Sequence, residues 1–365
     1  MRTVMRAHLV AACVGLLAIA GCGGDDDDAE SAATQAPAAA QTDLGPIKDY
    51  LLDHSSRLAA DTEKLSSQAD EYYALAESVD FDYGKLLADH RDEVSTLVED
   101  MQATYIDANP AYEEMEGVVA GVPSLADFDV IIDAGSDKSD PESAVPFNIK
   151  TPAGKVFEQP GNFFGLIETS LWGTEPKYAA KGVEPDLDDN GEVEFGEAVP
   201  DADFLVAAAK DFATNAKELD EAANGWEPNE QDAFTALVVM TPTMSEYFES
   251  WKSSRFVAGA KTDQSTFVAA SRLGDIAGIL NGLVLVYESV EPSIAKASTE
   301  QAKQTGTDLK NLHEFAVDLR EQEAAGKNFT AEDADTLGSD AQDRAEAIAG
   351  QISQAAGELG IKLET

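Results

Sequence analysis

The sequence predicts an all-α protein made of one or two antiparallel helical bundles. Apolar residues recur at helical spacing through most of the chain, and no stretch alternates as a strand would over a useful length. A long irregular connection and an acidic loop interrupt the helices. Two cysteines, both near the N-terminus, leave the rest of the chain without a disulfide, so a sizeable hydrophobic core must stabilise it.

Amphipathic helices are predicted from Ile47 onward, where apolar residues return near multiples of 3.6 positions. Residues 122–160 are rich in Asp, Ser, Pro and Gly and are predicted to be irregular. Gly225 is a predicted helix end, and Thr330 with Asp333 a capping-box start. The predicted helices are 47–79, 83–108, a short one near 110–121, 161–173, 202–225, 230–256 with an interruption or a kink at Pro242, 265–290, about 293–325 and 331–359.

The most apolar run outside the N-terminus lies between Asp275 and Glu288. At about 12 residues it is shorter than the ~20 that span a bilayer, so we predict a buried core helix. Gly274, Gly278 and Gly282 recur every fourth residue on one face of this helix. Their spacing favours close packing against another helix.

The N-terminus has the pattern of a secretory signal. Two arginines precede an apolar run, and small residues lead to Cys22. The residues before Cys22 resemble a bacterial lipobox, although an ordinary signal peptide with a chance cysteine is the alternative. We therefore predict a signal peptide at 1–21, a lipidated flexible tether at 22–43 and a helical domain at 44–365, with halves near 44–200 and 201–365. The predicted location is the extracytoplasmic side of the cell envelope, anchored to the membrane by lipid.

The chain is strongly acidic, with 69 acidic and 25 basic residues and a net charge of −44. Such a surface repels nucleic acid and anionic lipid, so nucleic acid is excluded as a partner. It suits a protein that attracts cations or one that stays hydrated in high salt, and composition does not separate the two.

The chemistry available to the domain is that of oxygen ligands. His54, His90 and His313 are the histidines that remain after signal removal, and the zinc-protease, phosphate-loop and serine-hydrolase motifs are absent from the sequence. No thiol remains for catalysis or metal binding once Cys22 carries lipid. A site made of carboxylates and tyrosines favours hard cations such as calcium, magnesium, manganese or ferric iron.

Two stretches resemble the imelysin-like proteins, the family that includes the periplasmic component of Efe-type iron uptake. "AYEEMEGVVAGVPSLADFDVIIDAG" is similar to a family helix and loop, and "FFGLIETSLWG" resembles the signature helix with its Gly-x-His-x-x-Glu segment. Gly165 stands in place of the signature histidine and Phe163 in place of its leading glycine. His90 and Glu93 also form a His-x-x-Glu, but without the signature context.

The resemblance implies two helical bundles, related by an internal repeat, with a metal-binding cleft between them. The residues it places in that cleft are Tyr112, Glu116, Asp129, Asp133 and Glu168. Alternatively, the glutamates are helix-surface carboxylates, the aspartates cap a loop, and Tyr112 and Trp172 are core or cleft-wall residues. Without the histidine, the remaining ligands are all oxygens.

The segment "DLDDNGEVEFGE" matches the calcium loop of an EF-hand. The loop pattern requires oxygen donors at its first, third and fifth positions, glycine at the sixth, a main-chain carbonyl at the seventh and glutamate at the twelfth. Pro185 and Pro200 leave no room for flanking helices, so we predict an isolated, structural calcium clip, with an acidic surface turn as the alternative. The predicted ligands are Asp186, Asp188, Asn190, Glu192 through its carbonyl, Glu194 and Glu197.

The first functional hypothesis is therefore a lipid-anchored binding protein that takes iron as cargo and passes it to an iron permease. The alternative is an acidic surface lipoprotein that holds only structural calcium and has another ligand or protein partner. A peptidase is a weaker third hypothesis, because the sequence offers no recognisable catalytic set, so we predict that the protein is not an enzyme.

Overall fold

The computed structural model describes residues 42–364, and the predicted signal peptide, Cys22 and nearly all of the tether lie outside them. Within this range helices dominate, which confirms the all-α prediction. The elements are α1 (Gly45–Ser78), α2 (Tyr83–Val119), α3 (Ala126–Asp129), a π-helical turn (Val130–Ala134), β1 (Asn148–Lys150), β2 (Val156–Glu158), α4 (Phe163–Leu171), α5 (Ala202–Gly225), α6 (Glu230–Met240), a 3₁₀ turn (Thr241–Thr243), α7 (Met244–Ser253), α8 (Arg255–Ala258), a second 3₁₀ turn (Gly259–Lys261), α9 (Arg272–Ala297), α10 (Thr299–Ala324) and α11 (Ala331–Leu359).

The long helices form two packed groups that meet at α2 and α9. In the first group α1 packs on both α2 and α5, and α4 lies against α2 and α5. In the second, α9 packs on α10, and α11 packs on α7, α6 and α10. One hydrophobic core runs through both groups. The division of the domain near residue 200 stays a prediction, since residues 42–364 fall within a single compact unit.

Two predicted helix boundaries at prolines are wrong. Pro110 lies inside α2, and Pro292 lies inside α9, although each was expected to separate two helices. A proline removes one backbone donor from a helix. Burial of the flanking residues outweighs that loss, because α2 packs against α9 and α9 against α10. The residues that follow Pro110 therefore continue the helix that precedes it, whereas the backbone of α2 is non-helical at His90, where the helix is kinked.

The predicted start of the helix at residue 265 is also wrong, because α9 begins at Arg272. Residues 265–271 form an irregular segment that lies against α4 at Glu168. The backbone N–H groups of Phe267, Val268 and Ala269 donate to the carboxylate of Glu168. These donors bind a side chain instead of preceding carbonyls, so the segment does not close into a helix.

Helix α9 satisfies the length and composition of a membrane-spanning helix, with a mean hydropathy of 1.4 over its most apolar 18-residue window. The sequence-based prediction of a run too short to span counts only the 12 uncharged residues between Asp275 and Glu288, whereas the helix that contains them has 26 residues. Since 61% of that window is buried within the protein, we interpret α9 as a core helix.

The glycine face of α9 makes the predicted close contact. A Cβ atom on Gly282 would lie 2.4 Å from the carbonyl oxygen of Glu114 in α2, and one on Gly278 would lie 3.3 Å from the Glu113 side chain. Gly274, by contrast, faces open space. The two C-terminal glycines therefore set the distance between α2 and α9.

The connection predicted as irregular contains short regular elements. Helix α3 runs into the π-helical turn, and β1 pairs antiparallel with β2, with Ile149 opposite Phe157. This hairpin corrects the expectation of no strands, although each strand has only three residues. Such short strands give too little alternation to be recognised in the sequence.

Candidate metal centre

A cavity of about 720 Å³ opens beside the junction of α2 with the segment before α9. Four of the five residues predicted from the family motifs line it: Glu116, Asp129, Asp133 and Glu168. Tyr105, Tyr247, Phe267 and Arg272 are among the other residues that line it. The structure therefore brings together carboxylates that lie far apart in the sequence.

Helix α2 contributes Tyr112, Glu113 and Glu116 to this region. Glu113 and Glu116 are one helical turn apart, so they lie on the same side of α2. Both are buried, with 2% and 3% of their surface exposed. The Tyr112 hydroxyl donates to Asp129 Oδ1 at 2.6 Å, so Tyr112 orients a carboxylate from full burial.

The π-helical turn positions Asp129 and Asp133. Asp129 ends α3 and Asp133 follows four residues later within the turn, so both side chains reach the cavity. A π-helical turn is rare and frequently marks a functional site. One carboxylate oxygen from each of Glu113, Glu116 and Asp133 lies within 4.8 Å of the others, which is a spacing that one cation bridges.

Arg272 is the only lysine or arginine buried within the described residues, and it lies at the edge of this cluster. It donates to Asp275 Oδ2 at 2.7 Å, and its guanidinium stacks on the Phe267 ring, 3.7 Å from the centroid. The Tyr247 ring lies on the same cation at 4.6 Å. One positive charge therefore faces five buried carboxylates: Glu113, Glu116, Asp129, Asp133 and Asp275.

This excess of negative charge changes the acidity of the cluster. Burial, together with the charges of Asp129 and Asp133, raises the pKa of Glu116 to about 8. Burial raises the pKa of Asp129 to about 7, although the Tyr112 hydrogen bond opposes the shift, and that of Asp133 to about 6. Burial and the neighbouring Asp275 hold the pKa of Glu113 well above its usual range. Glu113 and Glu116 therefore retain protons near neutral pH unless a cation replaces them, whereas Asp133 is largely ionised there.

Several polar atoms of the cluster have no hydrogen-bond partner in the described structure. These are Glu113 Oε2, Glu116 Oε2 and Arg272 Nε, all buried. The opposite oxygens are held, since Asn109 donates to Glu113 Oε1 at 2.8 Å and the Tyr247 hydroxyl donates to Glu116 Oε1. Each glutamate is thus fixed through one oxygen and presents the other, an arrangement that fits a hard cation.

Glu168, the glutamate of the signature helix, has a different role from these two. Its Oε1 accepts the N–H groups of Val268 and Ala269, both at 2.8 Å, and its Oε2 accepts that of Phe267 at 2.6 Å. Burial raises its pKa to about 7 in spite of these three bonds. Glu168 lines the cavity but chiefly fixes the segment that leads into α9.

Gly165, which stands in place of the signature histidine, lies in close contact with neighbouring residues. A Cβ on Gly165 would lie 3.1 Å from Asn162 Oδ1 and 3.3 Å from Thr266 Cγ2. Thr266 belongs to the segment that Glu168 holds, so this segment covers the position from which a histidine would project. Trp172 does not line this cavity and packs behind it, with its ring 5.3 Å from that of Tyr105, which does.

The motifs in the sequence do not single out Glu113, Tyr247, Arg272 or Asp275. Glu113 lies three residues before Glu116, and Arg272 lies three before Asp275, so both pairs carry a helical spacing that would have placed them on one face. Tyr247 has no such signal, because its contact with Glu116 joins residues 131 positions apart.

The acidic loop has the turn that its pattern predicts. Gly191 adopts φ +88, and its N–H donates to Asp186 Oδ2 at 3.1 Å. Asn190 N–H donates to Asp188 Oδ1 at 3.0 Å, while Glu192 N–H donates to Asn190 Oδ1 at 2.8 Å. The side chains at the first, third and fifth positions therefore turn inward.

Glu197 closes this loop from its last position. Its Oε1 accepts from Leu187 N–H at 2.8 Å and Asp188 N–H at 3.2 Å, and its Oε2 accepts from Glu194 N–H at 2.7 Å. One oxygen each from Asp186, Asp188 and Glu197 lies within 4.8 Å of the others. Asp186 Oδ1 is buried without a partner.

Glu194 lies next to this group, since Asn190 Nδ2 donates to both of its carboxylate oxygens, at 3.1 and 3.2 Å. Glu192 is exposed. The loop is attached to α2, because Arg91 donates to the Asp186 carbonyl and Gln102 donates to that of Gly196.

The sequence model of the imelysin family, also termed peptidase family M75, matches residues 48–354. No curated protein matches the chain. The family match covers nearly all of the helical part of the chain and agrees with its all-α fold. The chain therefore belongs to the imelysin family.

Proposed function

We propose that this protein binds iron as cargo on the extracytoplasmic side of the membrane and serves iron uptake. The main support for this proposal is the buried set of carboxylates, in which Glu113 and Glu116 each present an oxygen without a hydrogen-bond partner. Ionising five buried carboxylates against the single cation of Arg272 is costly, so the site gains most from a small ion of high charge.

The donor chemistry favours iron over softer metals. Carboxylate and phenol oxygens surround the cavity, and its described lining contains no histidine or cysteine. Arg272 offsets one of the negative charges, which leaves the set suited to a divalent or trivalent ion. Glu116 and Asp133 would hold the ion, with Glu113 adjacent and Asp129 oriented by Tyr112.

Lipid attachment at Cys22 and delivery to an iron permease belong to the same proposal. They rest on the signal-like N-terminus and on the family resemblance to a component of iron uptake. Labelling of cells with a radioactive fatty acid tests the anchor. The native chain should incorporate the label, and Cys22→Ser should not.

Metal titration tests the binding itself. The purified protein should bind Fe²⁺ under anaerobic conditions, and Fe³⁺ supplied as citrate, whereas Glu116→Gln and Asp133→Asn should each weaken binding by at least about tenfold, or ~1.4 kcal/mol. Asp127→Asn is the matched control, because Asp127 is an exposed carboxylate on the same short helix as Asp129. Equal affinity in all four proteins would contradict the proposal.

The alternative is an acidic lipoprotein whose only ion is calcium and whose cavity takes another ligand. The observation in its favour is that Gly165 replaces the signature histidine and Glu168 is occupied by backbone donors. Calcium binding without iron binding in the same titrations would select this alternative.

We further propose that the acidic loop binds calcium as a structural clip. Its inward-turned carboxylates and the partnerless Asp186 Oδ1 support this. Calorimetry with Ca²⁺ should give a binding heat that Asp186→Ala and Glu197→Gln abolish. Asp189→Asn is the control, since Asp189 pairs with Arg91 at 3.4 Å on the outside of the loop. Identical heats from all these proteins would reject the clip.

Peptidase activity ranks below binding, although the family name includes a peptidase class. The hydroxyls of Tyr112 and Tyr247 both donate to carboxylates, an arrangement that fixes ligands rather than activating a nucleophile. We expect no hydrolysis of a denatured protein substrate, with or without added metal.

A further inference from the structure

A second cavity, of about 410 Å³, lies against the same cluster of carboxylates. Residues of α2, α9 and α10 line it together with Phe256 and the residues just before α9. Four acidic side chains line it, Glu113, Glu114, Asp275 and Glu323, against the single basic side chain of Arg320. It therefore attracts cations, as the first cavity does.

The carboxylate cluster separates the two cavities. Glu116 and Asp133 line the first cavity, whereas Glu113 lines the second, yet oxygens of all three lie within 4.8 Å of one another. The ion pair beside them is divided in the same way, with Arg272 on the first cavity and Asp275 on the second.

Glu113 lines the second cavity, and one of its oxygens lies within 4.8 Å of oxygens of Glu116 and Asp133, which line the first. Asn109, which also lines the second cavity, holds its Oε1, and its Oε2 has no partner although the residue is only 2% exposed. A residue whose role is only to wall off the first cavity gains nothing from a buried, partnerless carboxylate oxygen, since an apolar side chain of similar volume is cheaper to bury.

We propose that Glu113 is a relay through which a metal cation passes between the two cavities, so that the bound ion has a second route to solvent beside the first cavity. The inference rests on the proposed function, since it requires an ion at Glu116 and Asp133. Each step exchanges one carboxylate ligand for another, from Asp133 and Glu116 to Glu113 and then Asp275. The oxidation state of the metal does not change.

The second route gives the site a way to release its cargo while the first cavity is covered. A receiving protein seated on the second cavity would meet the ion at Asp275 and Glu113. The chemistry required of such a partner is a set of oxygen ligands that exceeds the affinity of this pair.

Gly274 allows the second cavity to be filled without disturbing the first. It lies in α9 on the wall of the second cavity, and a Cβ atom there meets nothing within 4 Å. Gly274→Leu therefore plugs the route. Gly350→Leu is the matched control, because Gly350 is an exposed helical glycine whose Cβ also meets nothing within 4 Å.

The experiment measures the rate at which Fe²⁺ leaves the purified full chain for excess 2,2′-bipyridine under anaerobic conditions. We expect Gly274→Leu to slow release by at least about threefold, while its equilibrium affinity stays within about twofold of the native value. Association should slow in the same proportion, because a blocked route lowers both rates and leaves the bound state unchanged. Gly350→Leu should release at the native rate.

A second pair of variants makes the result independent of one substitution. Ala324→Trp covers the second cavity from the exposed end of α10, and Ala134→Trp covers the first from the exposed end of the π-helical turn. Each should slow release in part, and the two together should slow it more than either alone. Glu113→Gln also removes a carboxylate beside the bound ion, so its part in the route is read from the cycle with Gly274→Leu: its effect on the release rate should differ between that background and the native chain.

Native release rates in both Gly274→Leu and Ala324→Trp, with Ala134→Trp slowed, would overturn the relay and leave the proposed iron site standing. Absence of Fe²⁺ binding by the native chain would instead overturn the proposed function and the relay with it.

Discussion

The buried carboxylates differ from one another in the hydrogen bonds that they accept. Glu168 uses both oxygens on backbone donors, and Asp129 accepts from Tyr112. Glu113 and Glu116 each keep one oxygen without a partner. Residues of one chemical type therefore have separate structural and ligand roles, which the hydrogen bonds distinguish and composition does not.

The metal-free protein should lose stability as pH rises from about 4 to about 8. The pKa of Glu116 in the folded state, about 8, lies above its unfolded value, so the folded state binds more protons in this range. Each buried carboxylate with a raised pKa changes the free energy of unfolding across this range by about 1.4 kcal/mol for each pH unit by which its pKa is raised.

Urea unfolding at several pH values measures this slope, and Glu116→Gln should flatten it and stabilise the metal-free protein at pH 8. Asp127→Asn should keep the native slope. A stability that rises steadily over the same range would contradict the assignment.

Glu168→Gln should destabilise the metal-free protein at pH 8, whereas Glu116→Gln should stabilise it. The amide replaces an acceptor oxygen by a donor that faces a backbone N–H, so we expect a loss of about 2 to 3 kcal/mol in the free energy of unfolding. Iron affinity should change less than in Glu116→Gln. Paired urea unfolding and Fe²⁺ titration of the two variants measure both effects, and a larger affinity loss in Glu168→Gln would make it a ligand.

At the scale of elements, the packing of α9 on α2 sets the geometry of the cluster. Glu113 and Glu116 lie on α2, Arg272 and Asp275 on α9, and Gly282 fixes the approach of the two helices. Any change in this distance moves ligands on both helices.

Gly282→Ala should therefore destabilise the fold by about 1 to 3 kcal/mol, because the added Cβ would overlap the Glu114 carbonyl. Gly274 lies eight residues before Gly282 on the same face of α9. Gly274→Ala should be neutral or stabilise the fold by up to about 1 kcal/mol through helix propensity. Thermal unfolding of the two variants compares them directly. Equal effects would show that the close approach is not what Gly282 provides.

At the scale of the whole molecule, a net charge of −44 opposes compaction. Added monovalent salt screens this repulsion, so the melting temperature should rise between low and about 1 M KCl, where the Debye length falls to ~3 Å.

Calcium or iron should stabilise the folded protein at far lower concentration than KCl, by about 2.7 kcal/mol when the free ion is at 100 times its dissociation constant. Differential scanning calorimetry separates the two effects, and a melting temperature independent of salt would show that surface repulsion is minor.

The all-α class, the family and three carboxylates of the cluster, Glu116, Asp129 and Asp133, follow from the sequence by itself, because helical periodicity and short motifs are local properties. The turn of the acidic loop is local in the same way, since its side chains bond to backbone groups within ten residues. The sequence misplaced the breaks at Pro110 and Pro292, where packing between helices outweighs a local preference.

Only the tertiary structure decided which carboxylates meet. Tyr247 reaches Glu116 across 131 positions, and Glu168 holds a segment about 100 positions away. The second cavity also exists only where α2, α9 and α10 meet. Contacts between residues so far apart depend on the packing of whole helices, and no periodicity within one helix records which partner it will meet.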